Sequence, residues 1–148
     1  MDYVIKRYDE LTADEVYEIL KIRTSVFIVE QNCPYQDVDG VDRRSYHLMC
    51  MDGGTIAGYL RIIEKTSASG ETAIGRVLVI PEYRGGGVAK KMMETAKRFI
   101  TETLVEGVIK ISAQTYLVKF YGDLGFEAVG DGYLEDNIPH IKMVYKHD

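Results

Sequence analysis

Cysteine is scarce in this chain, basic charge is outnumbered, and long apolar runs are missing; each shortage removes a class of protein. Cys33 and Cys50 are the whole cysteine complement. Neither has a second cysteine or a histidine at zinc-site spacing, which sets aside a structural zinc centre. Both read as reduced thiols of a cytosolic protein. No apolar run approaches the ~18 residues of a membrane-spanning helix. The short apolar stretch between Asp2 and Lys6-Arg7 is too brief for a secretion signal, so a cytoplasmic protein away from membranes is expected. Lys and Arg number 18 against 23 Asp and Glu, a net charge of −5, which argues against a nucleic-acid partner and leans toward a cationic one. The 148 residues suit a single domain spanning 1–148. A chain of this size buries roughly 70% of its unfolded surface.

What is present is concentrated in Gly75 to Met93. Val77 to Ile80 is a β-prone run that Pro81 must end, because proline has no ladder N–H. Val88, Ala89, Met92, Met93, Ala96, Phe99 and Ile100 then recur at helical spacing. Between the two lie Arg84 and the consecutive glycines Gly85, Gly86 and Gly87. Glycine reaches positive φ without a Cβ clash, so such a turn can aim several N–H groups one way. The unpaired N–H groups and positive dipole end of the following helix join them, and a guanidinium can grip two phosphate oxygens at once. The stretch reads as a phosphate cradle.

Two familiar cradles are excluded by what is missing. No Lys-Ser/Thr pair follows the glycines, as a P-loop requires, and no third glycine stands where a dinucleotide fingerprint needs it. What remains is Arg84-x-x-Gly87-x-Ala89 after a strand carrying Arg76-Val77-x-Val79. This resembles the coenzyme A pyrophosphate loop of the GNAT superfamily of acetyl-CoA-dependent N-acetyltransferases. The bland alternative is a glycine-rich turn with a solvated arginine.

The remaining pattern predicts a strand over 3–8 and a helix opened by the Thr12-Ala-Asp-Glu15 capping box, with Val16, Ile19, Leu20, Val26 and Phe27 inward. Periodicity is lost after Val29, and Pro34 and Gly40 mark a loop to Asp42. Strands over 45–51 and 55–64 flank a hairpin turn at Asp52-Gly53-Gly54. A flexible connection over 65–71 leads to a strand over 72–80, and the motif helix fades near Thr103. A buried strand over 108–113 should run parallel to the Val77 strand, because a helix separates them. A short helix over 117–124 is stopped by Gly125, and Phe126 begins the next strand. The tail from Gly130 to Lys146 reads as a hairpin turning at Glu135-Asp136-Asn137.

That order matches the GNAT fold along essentially the whole chain, and Phe120-Tyr121 with Gly125-Phe126 looks like the Phe-Tyr-x-x-x-Gly-Phe end of that fold. The expected class is α/β (α+β): a mixed, mostly antiparallel sheet with a parallel pair at the coenzyme cleft and helices on both faces. Phe27-x-Val29-Glu30-Gln31-x-Cys33-Pro34-Tyr35-x-Asp37-x-Asp39-Gly40-x-Asp42 and Glu135-Asp136-x-Ile138-Pro139-His140-Ile141-x-Met143 further resemble the ElaA-type subfamily.

The resemblance implies that an amine attacks the acetyl thioester of acetyl-CoA, forming a tetrahedral oxyanion that expels CoA thiolate. Val77, Leu78 and Val79 would pair with the pantetheine amides, and Arg84, Gly85, Gly86, Gly87, Val88 and Ala89 would hold the pyrophosphate. A bulge in the Val77 strand would aim one N–H, of Leu78 or Val79, at the acetyl oxygen. Tyr121 occupies the position of the thiolate-protonating tyrosine, with Tyr116 able to swap roles.

An alkyl amine is on the order of one part in a thousand neutral at pH 7, so a base is needed. Glu30, His47, Glu135 and His140 are candidates, and Glu30, His47, Arg61 and Glu135 are candidates for holding the acceptor. The acidic set Glu30, Asp37, Asp39, Asp42, Glu135 and Asp136 either lines an acceptor mouth or is a solvated face. Asp-x-Asp-Gly-x-Asp is not a calcium loop, because Leu48 stands at the twelfth position where a glutamate belongs; no metal is expected. Lys90, Lys91 and Lys119 read as surface charges within possible reach of the coenzyme's 3′-phosphate. Besides acetyl-CoA and the amine, the only partner considered is a second copy, as a monomer or homodimer. A non-catalytic acetyl-CoA-binding sensor or interaction module is the alternative function.

Overall fold

The computed structural model describes residues 1–66 and 70–147. Thr12 starts the first helix by reciprocal capping: its Oγ1 accepts from the Glu15 amide at 3.1 Å while Glu15 Oε1 accepts from the Thr12 amide at 2.8 Å. Helix α1 (Ala13–Arg23) follows strand β1 (Asp2–Arg7) and continues as a wider π-type turn over Thr24–Glu30, which carries the helix past the point where α-helical periodicity is lost. Strands β2 (Ser45–Asp52), β3 (Thr55–Ile63) and β4 (Thr72–Val79) form the expected antiparallel meander. The connection expected over 65–71 includes positions 67–69, which lie outside the described residues. Helix α2 (Val88–Arg98) extends through a π-type turn over Phe99–Thr103. Then come β5 (Val108–Gln114), the short α3 (Val118–Gly122), β6 (Glu127–Glu135) and β7 (Ile138–Lys146). Asp136 and Asn137 turn the last hairpin with φ of 48° and 63°, the doubly left-handed geometry that two-residue hairpins favour.

The strands form one sheet in the order β1-β2-β3-β4-β5-β7-β6, in which only β4 and β5 run parallel. Helix α1 packs Ile19 and Val26 against Met49, Tyr59 and Leu78 on one face. Helix α2 packs Met92, Met93, Ala96 and Ile100 against Leu48, Leu60 and Ile62 on the other, where Tyr121 and Leu124 join them. Gly58 lets α2 approach: a Cβ there would lie 2.8 Å from Met92 Sδ.

Two irregularities in the sheet's middle make the site. Arg61 pairs with Gly75 and Tyr59 with Leu78, so Arg76 and Val77 together occupy the space opposite Leu60, a β-bulge. Arg76 sits there with φ of 54°, a left-handed conformation that costs a side-chain-bearing residue on the order of 1–2 kcal/mol. Meanwhile β4 pairs with β5 only at Thr72↔Ile109 and Ala73↔Lys110. Beyond Ala73 the two strands separate, and a cleft opens between them.

Candidate active site

The cleft has a volume of about 580 Å³. Val77, Leu78 and Val79 form one wall, the turn at Arg84–Ala89 one end, and Ser112, Gln114 and His140 the opposite wall. The direction of β4's amides follows from alternation. The Ile80 N–H donates to Ala57 O at 3.0 Å, toward β3, and Leu78 pairs with Tyr59 on that same edge. Alternate residues point the other way, so the N–H groups of Val77 and Val79 face the split. Of the two candidate donors of the bulged strand, Leu78 therefore turns its N–H away from the cleft.

At the end of the cleft, Gly85 and Gly87 have φ of 86° and 83°, and no atom lies within 4 Å of where a Cβ on either would be. Gly87 is the N-cap of α2 and contributes no side-chain cap, so the helix's first N–H groups stay open toward the turn. Gly86 is exposed between them. Such a cradle of N–H groups at a dipole's positive end fits a phosphate.

Arg84 is fixed across the cleft mouth. Its Nε donates to Val79 O at 2.8 Å, and its Nη1 and Nη2 donate to the Glu30 carboxylate at 2.7 and 2.8 Å. These bonds hold the Glu30 carboxyl below its usual range.

Tyr121 lies beneath the cleft at 7% exposure, its ring packed edge-on against Phe120 and Phe126. Its hydroxyl makes no hydrogen bond among the described residues, and burial raises its pKa to about 12. Tyr116 also lines the cleft but is 75% exposed.

The opposite wall carries a polar group from three strands. His140 Nδ1 donates to Ile138 O at 2.6 Å; a carbonyl can only accept, so this bond places the proton on Nδ1 and leaves Nε2 3.6 Å from Glu135 Oε2. Tyr133 stacks on the imidazole at 6.2 Å. Ser112 Oγ bonds the Tyr133 hydroxyl and donates to Glu135 Oε1 at 3.3 Å.

Two of the expected acceptor contacts lie elsewhere. His47, on β2, is buried beneath α1 with both ring nitrogens engaged, Nε2 to Asp42 O at 2.9 Å and Nδ1 to the Tyr59 hydroxyl at 2.6 Å. Desolvation pushes its pKa down, and it does not line the cleft, so it neither binds an acceptor there nor acts as base. Arg61 is also buried, and its Nη2 donates to Asp39 Oδ2 at 2.7 Å and its Nη1 to Asp42 Oδ1 at 3.0 Å, leaving no fork for a substrate carboxylate.

Asp37, Asp39 and Asp42 are neither an acceptor mouth nor a solvated face. Arg23, Arg61 and Arg76 pair with them in a network of ion pairs. Arg23, wholly buried, was not signalled as part of it. Its position four residues after Ile19 and three before Val26 puts it on the inward stripe of α1, the one hint the sequence holds. Of the lysines, Lys90 lines the cleft, Lys91 lies 5.4 Å over the Tyr3 ring, and Lys119 pairs with Asp123 at 3.1 Å. Among the described residues no cluster of His, Cys, Asp or Glu could hold a metal, and no helix is long and apolar enough to cross a membrane.

A split parallel pair above a glycine cradle is the architecture of a CoA-dependent acyltransferase. The chain belongs to the GNAT acetyltransferase family, whose domain matches residues 9–147. Within it the chain is similar to ElaA of Escherichia coli, whose crystal structure superposes with a TM-score of 0.92 at 33% identity, covering 99% of this chain and 100% of that one. An acyl-CoA N-acyltransferase from Pseudomonas aeruginosa also superposes at 0.92, with 39% identity and 98% and 99% coverage. A UPF0039 protein of Schizosaccharomyces pombe is 36% identical over 148 residues, 97% of this chain and 95% of its own length.

Proposed function

We propose that the protein transfers the acetyl group of acetyl-CoA to a primary amine by direct attack. The observation that carries this reading is the meeting of three features in one cleft: outward N–H groups of Val77 and Val79, the cradle at Gly85–Ala89, and the unpartnered hydroxyl of Tyr121.

In this reading Val79, with Val77, presents backbone groups to the pantetheine arm and an N–H to the thioester oxygen, stabilising the oxyanion as charge develops there. Arg84 and the N–H groups after it hold the pyrophosphate, and Lys90 lies at the same end. Acetyl-CoA supplies the activated acyl carbon. His140 Nε2 is the base: its lone pair is free because Nδ1 carries the proton, and it faces Glu135, which stabilises the imidazolium once the amine's proton arrives. Tyr121 hydrogen-bonds the departing sulfur. With its pKa raised to about 12, it donates the bond without surrendering the proton fully. Glu30, Glu135 and Asp136 are the carboxylates lining the cleft, and they favour an ammonium-bearing acceptor.

The test is release of free CoA from acetyl-CoA in the presence of polyamines, amino acids, amino sugars, aminoglycosides and peptides, with Arg84→Ala as the control. Amine-dependent release that falls with Arg84→Ala supports the reading. Binding of acetyl-CoA with no acetylated product from any amine favours a non-catalytic sensor.

A further inference from the structure

The kink in β4 falls on the wrong residue for local sequence to explain. Gly75 would take positive φ freely, yet it is the neighbouring Arg76 that does, at 54°. A left-handed non-glycine residue persists only where its surroundings over-determine it.

Those surroundings belong to the 31–41 loop. Arg76 Nε lies 2.8 Å from Asp37 Oδ1, Nη2 donates to Asp37 O at 3.1 Å and to Asp39 Oδ2 at 3.4 Å, and the guanidinium stands 5.4 Å from the centre of the Tyr35 ring. Neither aspartate is free to follow the arginine. Arg23 of α1 donates to Asp37 Oδ2 at 2.9 Å and Tyr35 OH to its Oδ1 at 2.6 Å. Arg61 of β3 clamps Asp39 with both Nη atoms, and Arg61 is the residue paired with Gly75. The bulge is thus closed into a loop of contacts running β3, Asp39, Arg76 and back to β3. Tyr35 and Cys33, on the same loop, also line the cleft.

We propose that Arg76 is a positioning residue for acyl transfer: tied to Asp37 and Asp39, it holds the β4 bulge and so the aim of the strand's cleft-facing N–H groups, that of Val79 at the thioester oxygen and that of Val77 at the pantetheine arm. It does not touch the reacting atoms. This inference rests on the transferase reading and adds the device that keeps its oxyanion donor aligned.

The test reads the donors directly. The carbonyl stretch of [1-13C]acetyl-CoA is measured by difference infrared spectroscopy free and bound to wild type, Arg76→Gly, Arg76→Lys and Asp39→Asn, with calorimetric affinity and thermal melts alongside. Glycine accepts the left-handed backbone and removes only the tether. The expected result is a bound-state red shift in wild type that collapses in Arg76→Gly and shrinks in Asp39→Asn, with lysine restoring part of it. Acetyl-CoA affinity should stay within about threefold while kcat falls about ten- to hundredfold, below the loss of a whole oxyanion donor. A full red shift in folded Arg76→Gly overturns the proposal. If that variant does not fold, a full red shift in Asp39→Asn overturns it. Failure of wild type to bind acetyl-CoA overturns the transferase reading itself, and this inference with it.

Discussion

Arg84 and Glu30, 54 positions apart, are joined by a two-pronged ion pair at 2.7 and 2.8 Å, so the arginine beside the glycine turn is already held by a carboxylate. A pyrophosphate bound at the proposed cradle would compete with Glu30 for the same fork. Both side chains are solvent-exposed, and an exposed pair is worth at most about 1 kcal/mol. Glu30→Gln should therefore tighten coenzyme A binding by about two- to fivefold, measured by calorimetry. A weaker complex would mean that Glu30 orients Arg84 for the phosphate instead of competing for it.

Tyr121 and Tyr116 separate by exposure. Tyr121 is a buried residue of the cleft wall whose hydroxyl has no hydrogen-bond partner among the described residues, whereas Tyr116 is largely in solvent. Tyr121→Phe should lower kcat by about one to three orders of magnitude with little change in coenzyme affinity, while Tyr116→Phe should stay within about twofold. With a pKa of about 12, Tyr121 also remains protonated through pH 10, so no loss of kcat from its ionisation should appear below that pH. A drop near pH 9 that vanishes in Tyr121→Phe would contradict this.

Acid should destabilise the fold in two stages. His47 has its pKa depressed by burial below the ordinary 6.5, so the unfolded chain takes up that proton first, and stability falls as pH drops below about 6.5. Asp42 is also held low, by Arg23 and then Arg61 against its burial, as Asp39 is by Arg61; their contribution is full above about 3.8 and is lost as pH falls further. Thermal melts from pH 8 to 3 should show both stages, and His47→Gln should remove the first. A melting temperature independent of pH from 7 to 5 would contradict the assignment.

Asp42 bridges Arg23 and Arg61 through one oxygen, at 2.7 and 3.0 Å. Removing it leaves buried guanidinium charge uncompensated, and Asp42→Ala should cost about 3–5 kcal/mol in urea unfolding. A loss below about 1 kcal/mol would show that Asp37 and Asp39, already paired with Arg23 and Arg61, are enough to hold both guanidiniums.

The glycine turn and the helix it opens were readable because their geometry is local. Glycines beside an arginine at a helix start state their geometry within a few residues, as do the Thr12–Glu15 capping box and the hairpin at Asp52-Gly53-Gly54. The acidic loop was misread because its partners are distant: Arg76 meets Asp37 across 39 positions, and no periodicity marks such a pair. Charged residues read as solvated unless a fold brings opposite charges to them. His47 falls among the buried residues of β2, and only the bond from Tyr59 and the Asp42 carbonyl make that burial tolerable. The kink at Arg76 was invisible for a related reason, since the neighbouring glycine was the residue that invited it.

The most direct test of the account is calorimetric titration of acetyl-CoA into the wild-type protein and Arg84→Ala. The account predicts saturable binding at one site per chain, with affinity falling about tenfold or more when the guanidinium is removed, on the scale of a charge-assisted bidentate contact. No binding by the folded wild-type protein, or equal affinity in the two proteins, would contradict the cradle at Gly85–Ala89 as the coenzyme site.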